Sequence, residues 1–114
     1  MTQSRLASTL KNLLDKLFSS KHAWPFEVPV SRTDHPEYYA AIKNPLSLKD
    51  ISDRLKLGDY YRCKEQMMAD LMLMVSNCKS FNDKETDYHD AALQMEAMIL
   101  ALFEAEKDGL TGTQ

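Results

Sequence analysis

The sequence predicts an all-α domain, a four-helix bundle with one long loop between its first two helices. Four segments repeat apolar residues every three or four positions, and none alternates apolar and polar residues as a strand does. The chain has only three glycines beside seven methionines, a composition that favours helix over sheet. All four prolines fall within residues 23–48, which are therefore expected to form the long loop.

The first predicted helix covers residues 4–18. Its apolar residues recur at offsets of three, four and seven and form one stripe, made of Leu6, Leu10, Leu13, Leu14, Leu17 and Phe18. Polar residues occupy the opposite face, so the stripe is expected to face the core. Ser19 and Ser20 end the helix, and Pro25 prevents it from continuing.

Residues 23–48 form a long and apolar connection that includes Trp24, the only tryptophan. Connections longer than about 12–15 residues are uncommon in compact domains and are usually functional or disordered. This one is too aromatic for disorder, and its prolines stiffen it. Pro36 suits the first turn of a short helix within it. We expect the loop to pack on the helices and to form the wall of a site.

A capping residue marks the start of the second helix at Leu48. Ser47 can accept a hydrogen bond from the backbone N–H of Asp50, and Asp50 places a negative charge in the first turn. Gly58 is expected to supply the C-terminal stop.

Two longer helices complete the bundle. The third is expected over residues 63–81, where a wide apolar stripe predicts a central position. The fourth follows a polar break, with Thr86 or Asp83 as its cap, and is expected to end near Lys107 and Gly109. The core of the domain should thus cover residues 4–107, with residues 108–114 as a flexible tail.

Composition limits the possible functions. The 114 residues are enough for one domain with a single core, expected to be a monomer. The net charge of −3 lacks the basic footprint of a nucleic-acid-binding protein. Cys63 and Cys78 lack metal or redox spacing and are expected to be reduced. No apolar run approaches the ~20 residues of a membrane span, and the first residues lack a signal peptide's apolar region.

The long loop and the end of the third helix carry motifs that occur together in one family. They are Trp24-Pro25-Phe26, Pro29-Val30, Tyr38-Tyr39 with Ile42, Pro45-Leu46 and Leu48, and Asn77-Cys78 with Phe81-Asn82 and then Tyr88. In this order and with these gaps they resemble a bromodomain, most of all the bromodomains of nuclear histone acetyltransferase coactivators. The resemblance covers nearly the whole chain. It implies a left-handed four-helix bundle whose first and third loops frame a pocket for acetylated lysine.

The resemblance also implies which residues bind the acetyl group. Asn82 matches the asparagine whose side-chain amide binds the acetyl carbonyl. Tyr38 matches the tyrosine that reaches the same carbonyl through an ordered water. Phe26 and Val30 match the floor and wall around the acetyl methyl.

Five further positions match residues around this centre. Trp24 and Pro25 match the shelf at the mouth of the pocket, and Tyr88 matches the aromatic gatekeeper at the start of the last helix. Cys78 and Tyr39 match positions at the back of the pocket and in the packing of the loop.

The chain departs from the family pattern at three points. Ser47 stands where the family often has aspartate, although it can still cap a helix. Phe81 stands where the family often has tyrosine, so a hydroxyl hydrogen bond there is lost. The third loop, residues 82–84, lacks the proline that many members have.

The residue types suit acetyl-lysine independently of the resemblance. This ligand is a neutral amide on an aliphatic stem, so its receptor needs an apolar slot and a donor for one carbonyl. Considered alone, Asn82 is more typical of a turn or cap, and Trp24 and Phe26 are more typical of loop anchors in the core. Only the ordered set of motifs favours binding roles. Of the two adjacent tyrosines, Tyr38 is expected to point inward.

The sequence contains no recognisable catalytic motif. His22, His35 and His89 are scattered, and the chain has no nucleophile elbow, phosphate loop or Cys/His metal spacing. Glu85 and His89 lie four apart, but the further glutamates of a di-iron bundle are missing. We therefore expect no catalysis, no metal and no cofactor.

The sequence thus predicts a non-catalytic reader of acetyl-lysine, expected to bind acetylated histone tails in the nucleus during chromatin and transcription regulation. Neither direct nucleic-acid binding nor membrane association is expected. The alternative is a helical interaction module that binds a partner helix or basic peptide in a groove, independently of acetylation.

Overall fold

The computed structural model describes the backbone of residues 3–111 and the side chains of residues 4–106. Within that part of the chain the only regular elements are helices: α1 (Gln3–Phe18), α2 (Pro36–Ala41), α3 (Leu48–Lys56), α4 (Lys64–Phe81) and α5 (Asp87–Thr111). The four longer helices, α1, α3, α4 and α5, form the expected bundle, and α2 is a short helix inside the long loop. None of these helices is long and apolar enough to cross a bilayer, as far as the described residues go.

The core lies where the apolar stripes of the four long helices meet. Helices α4 and α5 share the most extensive interface, and α1 packs against α3, α4 and α5. The largest fully buried side chains are Leu10, Leu13, Leu17, Leu48, Ile51, Met67, Leu71, Met74, Val75, Met95 and Ile99. The methionines of α4 therefore fill the core rather than forming an exposed binding surface.

The predicted cap of α3 is present. The hydroxyl of Ser47 accepts a hydrogen bond from the backbone N–H of Asp50 at 3.2 Å, and the Asp50 carboxylate accepts one from the backbone N–H of Ser47 at 2.9 Å. This reciprocal pair is a capping box. Gly58 follows the helix with φ of +87°, a left-handed conformation that favours glycine.

The two ends of α5 settle one open prediction and contradict another. The Thr86 hydroxyl accepts a hydrogen bond from the backbone N–H of His89 at 3.2 Å, so Thr86 rather than Asp83 is the cap. The predicted end near Gly109 is wrong, because α5 continues to Thr111. A single glycine costs a helix only about 1 kcal/mol, which does not force an end. Of the expected tail, residues 108–111 are helical and residues 112–114 lie outside the described residues.

Hydrogen bonds at both ends hold the long loop against the bundle. The backbone N–H of Leu48 donates to the carbonyl of Phe26 at 2.7 Å, which joins the start of the loop to the start of α3. The side-chain amide of Asn77, buried in α4, donates to the carbonyl of Asn44 at 2.8 Å. These bonds fix an irregular segment on the helices and position the site described next.

Candidate functional site

A cavity of about 470 Å³ lies between the long loop and the junction of α4 with α5. Three parts of the chain contribute to it: the loop with α2, the last turn of α4 with the residue after it, and the first turn of α5. Its lining residues are Trp24, Pro25, Val30, Ser31, His35, Glu37, Tyr38, Cys78, Phe81, Asn82 and Tyr88. Seven of the nine residues predicted for the site are among them.

Two other cavities are less suited to a specific small ligand. One of about 650 Å³ lies at the opposite end of α4, against the C-terminal half of α5, and its polar side chains are the charged Lys64, Glu65 and Glu104. Another of about 400 Å³ lies behind the loop, and its lining includes the charged Arg32, Asp50, Asp53 and Arg54. Of these three cavities among the described residues, the 470 Å³ one combines aromatic walls with neutral hydrogen-bonding groups, the usual composition of a binding site for a neutral ligand.

Asn82 lies where α4 ends and the chain turns into the next loop. It is the C-terminal cap of α4, and both its backbone N–H and its side-chain amide donate to the carbonyl of Cys78, each at 3.0 Å. The same amide nitrogen lies 3.6 Å from the Cys78 sulfur. The bond to the Cys78 carbonyl holds the side chain in place. The amide also donates to the Cys78 sulfur, a weak acceptor, so the carbonyl of a ligand could take over that donor.

Tyr38 points inward from α2, as the sequence predicts. Its buried ring meets Phe81 edge to face, with the ring centroids 4.9 Å apart. Among the residues that the structure describes, its hydroxyl has no hydrogen-bond partner. Burial raises the pKa of Tyr38 above its ordinary value, and the nearby Cys78 and Tyr39 add to this effect. The group is therefore a neutral phenol at physiological pH, able to donate a hydrogen bond.

Two exposed aromatic rings meet at the mouth of the cavity. Trp24, 48% exposed, and Tyr88, 46% exposed, lie edge to face with their ring centroids 4.8 Å apart. Exposed large aromatic rings around a concave site supply apolar contact area without a charge. Pro25 and Val30 extend this apolar surface along the loop.

Cys78 forms the back of the cavity. Its buried thiol donates to the carbonyl of Tyr88 at 3.4 Å, which links α4 to the first turn of α5. Burial raises the pKa of the Cys78 thiol, partly opposed by the hydrogen bond from Asn82. The thiol therefore stays protonated, and it behaves as a small apolar group rather than a nucleophile. Cys63 is exposed, and both cysteines are free.

Two residues of the predicted set, Phe26 and Tyr39, do not line this cavity, and Tyr39 has the role in loop packing that its motif implies. Phe26 is only 3% exposed and packs in the hydrophobic core, so it does not line the cavity. The Tyr39 hydroxyl donates to the carbonyl of Val30, and its ring lies under the guanidinium of Arg32 at 4.0 Å. Tyr39 therefore fastens the loop and borders the 400 Å³ cavity instead. Both residues act on the site through the loop backbone.

Four lining residues were missed as site residues by the sequence analysis. Ser31, His35 and Glu37 lie on the loop side, and Phe81 lies beside Tyr38. His35 and Glu37 flank Pro36, which begins α2. Their side chains lie 3.3 Å apart, from Nδ1 of His35 to a carboxylate oxygen of Glu37.

The described part of the chain contains no group of three histidine, cysteine, aspartate or glutamate side chains arranged to hold a metal ion. The polar groups that line the cavity include the Asn82 amide, the Tyr38 phenol and the Cys78 thiol, with Ser31, His35 and Glu37 on the loop side. Such a set can hydrogen-bond a neutral carbonyl and enclose a short apolar group.

Comparison with known proteins gives a consistent picture. The family model described as Bromodomain matches residues 10–94. The chain is 36% identical over 97 residues to a histone acetyltransferase GCN5 of Oryza sativa subsp. japonica, a match that covers 85% of this chain and 19% of that protein. It is 34% identical over 91 residues to the nucleosome-remodeling factor subunit NURF301 of Drosophila melanogaster, covering 80% of this chain and 3% of that protein.

Among solved structures, the bromodomain of human BAZ1A matches with a TM-score of 0.81 and 30% sequence identity, covering 90% of this chain and 94% of that one. This match confirms the predicted bundle fold. The chain spans a fifth or less of the length of the curated relatives above, so the activity in the name of the first relative does not carry over to this chain. The matched module is non-catalytic.

Proposed function

We propose that this chain, which belongs to the bromodomain family of acetyl-lysine readers found in chromatin proteins, binds acetylated lysine on histone tails in the nucleus through its 470 Å³ cavity. The observation that carries the proposal is the meeting of the Asn82 amide and the Tyr38 hydroxyl in one aromatic-lined cavity. The nuclear and histone context is supported by the relatives, which are named as a histone acetyltransferase and a nucleosome-remodeling factor subunit.

The chemistry of the lining residues suits the acetyl-lysine side chain. Val30, Tyr38 and Phe81 supply apolar and aromatic surface for the aliphatic stem and the methyl group. The Asn82 amide supplies a donor for the acetyl carbonyl, and the Tyr38 hydroxyl is positioned to bind a water that bridges to the same carbonyl. The direct hydrogen bond and the water-mediated one together replace the hydrogen bonds to water that the acetyl carbonyl loses on binding.

The same lining disfavours unmodified lysine. An ammonium group among Val30, Tyr38 and Tyr88 would face a donor, the Asn82 amide, with no carboxylate inside the cavity to pair with. The lining carboxylate of Glu37 is exposed at the rim. Acetylation removes the charge and adds an acceptor, so both changes favour binding.

Affinity for a single acetylated lysine should be modest. The ligand has few heavy atoms, and the peptide loses conformational freedom when it binds. We expect a Kd on the order of tens to hundreds of micromolar.

The test is a calorimetric titration of paired histone peptides that differ only in acetylation of one lysine. The acetylated peptide should bind more tightly by at least roughly 2 kcal/mol, about thirtyfold in Kd. In NMR titrations it should shift Val30, Asn82 and Tyr88, whereas the unmodified peptide should shift only rim residues. Equal affinity, with the same resonances shifted by both peptides, would overturn the proposal in favour of an acetylation-independent peptide or helix groove.

A further inference from the structure

A histidine and a glutamate in contact with each other line the rim of the cavity. His35 and Glu37 lie on either side of Pro36 at the start of α2, with His35 Nδ1 and a Glu37 carboxylate oxygen 3.3 Å apart. Both side chains are 59% exposed, so they face solvent where a peptide would enter. Glu37 is the only carboxylate among the described residues that line the cavity, and no lysine or arginine lines it.

We propose that Glu37 determines which acetylated sequences bind, by favouring peptides with a lysine or arginine immediately next to the acetyl-lysine. This inference rests on the proposed function, because it assumes that acetyl-lysine occupies the cavity. Once that side chain is inserted between Tyr38 and Asn82, the peptide backbone must cross the rim, and its neighbouring side chains come close to Glu37.

The contact with His35 prepares this carboxylate for a ligand. A neutral imidazole can donate one hydrogen bond to a carboxylate and restrict its rotamers without cancelling its negative charge. The remaining lone pairs can accept bonds from an ammonium or guanidinium group. Because Glu37 is exposed, the gain is that of a surface ion pair and depends on salt.

The test compares acetylated peptides whose residue next to the acetyl-lysine is either lysine or glutamine, each with an unmodified counterpart. Binding is measured at pH 8, where histidine side chains are generally neutral. The proteins are the unsubstituted chain, Glu37→Gln and the control Glu85→Gln. Glu85 is an exposed glutamate in the loop between α4 and α5 that does not line the cavity.

The unsubstituted chain should prefer the lysine-flanked peptide by roughly threefold at low salt, and this preference should decline at about 0.5 M salt. Glu37→Gln should abolish the preference, whereas Glu85→Gln should retain it. The charge reversal Glu37→Lys should invert it. Binding of the glutamine-flanked acetylated peptide reports whether each variant keeps an intact cavity.

The two hypotheses fail differently. If acetylated peptides still bind more tightly than unmodified ones, but Glu37→Gln and Glu37→Lys keep the flanking preference, only the role of Glu37 is overturned. If acetylation has no effect on affinity for the unsubstituted chain, the proposed function is overturned.

Discussion

The side chain of Asn82 has two roles, as a helix cap and as a lining group of the cavity. From the sequence alone these roles were alternatives. It caps α4 by donating to the Cys78 carbonyl, as an asparagine in a polar turn is expected to do. It also lines the cavity beside Tyr38. The cap fixes the orientation of the amide before any ligand arrives, and such preorganisation reduces the entropy lost on binding.

Replacing Asn82 by alanine should therefore weaken acetyl-lysine binding while leaving the domain folded. The acetyl carbonyl would still leave water but would lose its donor, a penalty of roughly 1.5–3 kcal/mol, or a rise in Kd of about tenfold to a hundredfold or more. Calorimetric titration with an acetylated peptide measures the loss. Asn12→Ala, at an exposed position on α1, is the matched control and should bind like the unsubstituted chain. A folded Asn82→Ala variant with unchanged affinity would refute the assignment.

Removing the Tyr38 hydroxyl should cost less than removing the Asn82 amide. Tyr38→Phe keeps the ring contact with Phe81 and removes only a group that is proposed to act through water. The expected loss is about 1 kcal/mol, roughly fivefold in Kd, by calorimetry. Circular dichroism checks that both variants are folded. A loss equal to that of Asn82→Ala would mean that Tyr38 contacts the ligand directly.

Seven of the nine predicted site residues line the cavity because their motifs specify both spacing and residue type. Phe26 and Tyr39 do not line it: Phe26 packs in the core, and Tyr39 fastens the loop as its motif implies. Sequence spacing does not distinguish whether an aromatic ring in this segment faces the core or the cavity. Glu37 was missed for a related reason. Its position depends on the path of the loop around Pro36, which is fixed by tertiary contacts rather than by local sequence pattern.

At the scale of elements, local signals were sufficient for most helix boundaries. The Ser47 capping box and Gly58 were both predictable, because each satisfies a backbone requirement within a few residues. The contact that holds the end of the loop to α4 was not predictable in this way. It joins Asn77 to Asn44, thirty-three residues apart, and nothing local in the sequence specifies that pairing.

We expect Asn77→Ala to loosen the loop and destabilise the domain. The buried amide donates to the Asn44 carbonyl, and its loss should cost roughly 1–2 kcal/mol of the free energy of unfolding. Urea denaturation measures this cost, and hydrogen exchange of residues 42–48 should become faster. Ser76→Ala, at the exposed neighbouring position, is the control and should change stability little. Unchanged exchange in Asn77→Ala would show that other contacts hold the loop.

At the scale of the whole molecule, the four apolar stripes determine the bundle, and partly buried polar contacts add to it. One network joins three elements: the Asp70 carboxylate in α4 accepts hydrogen bonds from the Tyr61 hydroxyl at 2.6 Å and from Arg54 of α3 at 2.8 Å. Arg54 also lies over the ring of Tyr60, 4.9 Å from its centroid. Apolar periodicity predicted that α3 and α4 belong to the bundle but not this arrangement, because charged residues carry no periodic signal for their partners.

The network makes the stability of the whole domain sensitive to pH in the alkaline range. Burial, together with the hydrogen bond to Asp70, raises the pKa of Tyr61 well above its ordinary value of about 10. Below pH ~10 the tyrosine is protonated in both folded and unfolded chains, so its contribution to stability is fully present. Above that pH the unfolded chain loses the proton first, and unfolding becomes more favourable as pH rises.

Tyr61→Phe should therefore be less stable at neutral pH and less sensitive to alkaline pH. Losing the bond to Asp70 should lower the free energy of unfolding by roughly 1–2 kcal/mol at neutral pH, since Arg54 still pairs with the carboxylate. Urea denaturation at neutral pH and at about pH 10.5 measures both effects. The gap in the free energy of unfolding between the two proteins should narrow at the higher pH, because only the unsubstituted chain carries this titrating group. Tyr60→Phe is the matched control, because Tyr60 is the exposed neighbour and phenylalanine keeps the ring under Arg54. A gap that stays constant with pH would show that the Tyr61 hydroxyl titrates alike in the folded and unfolded chains.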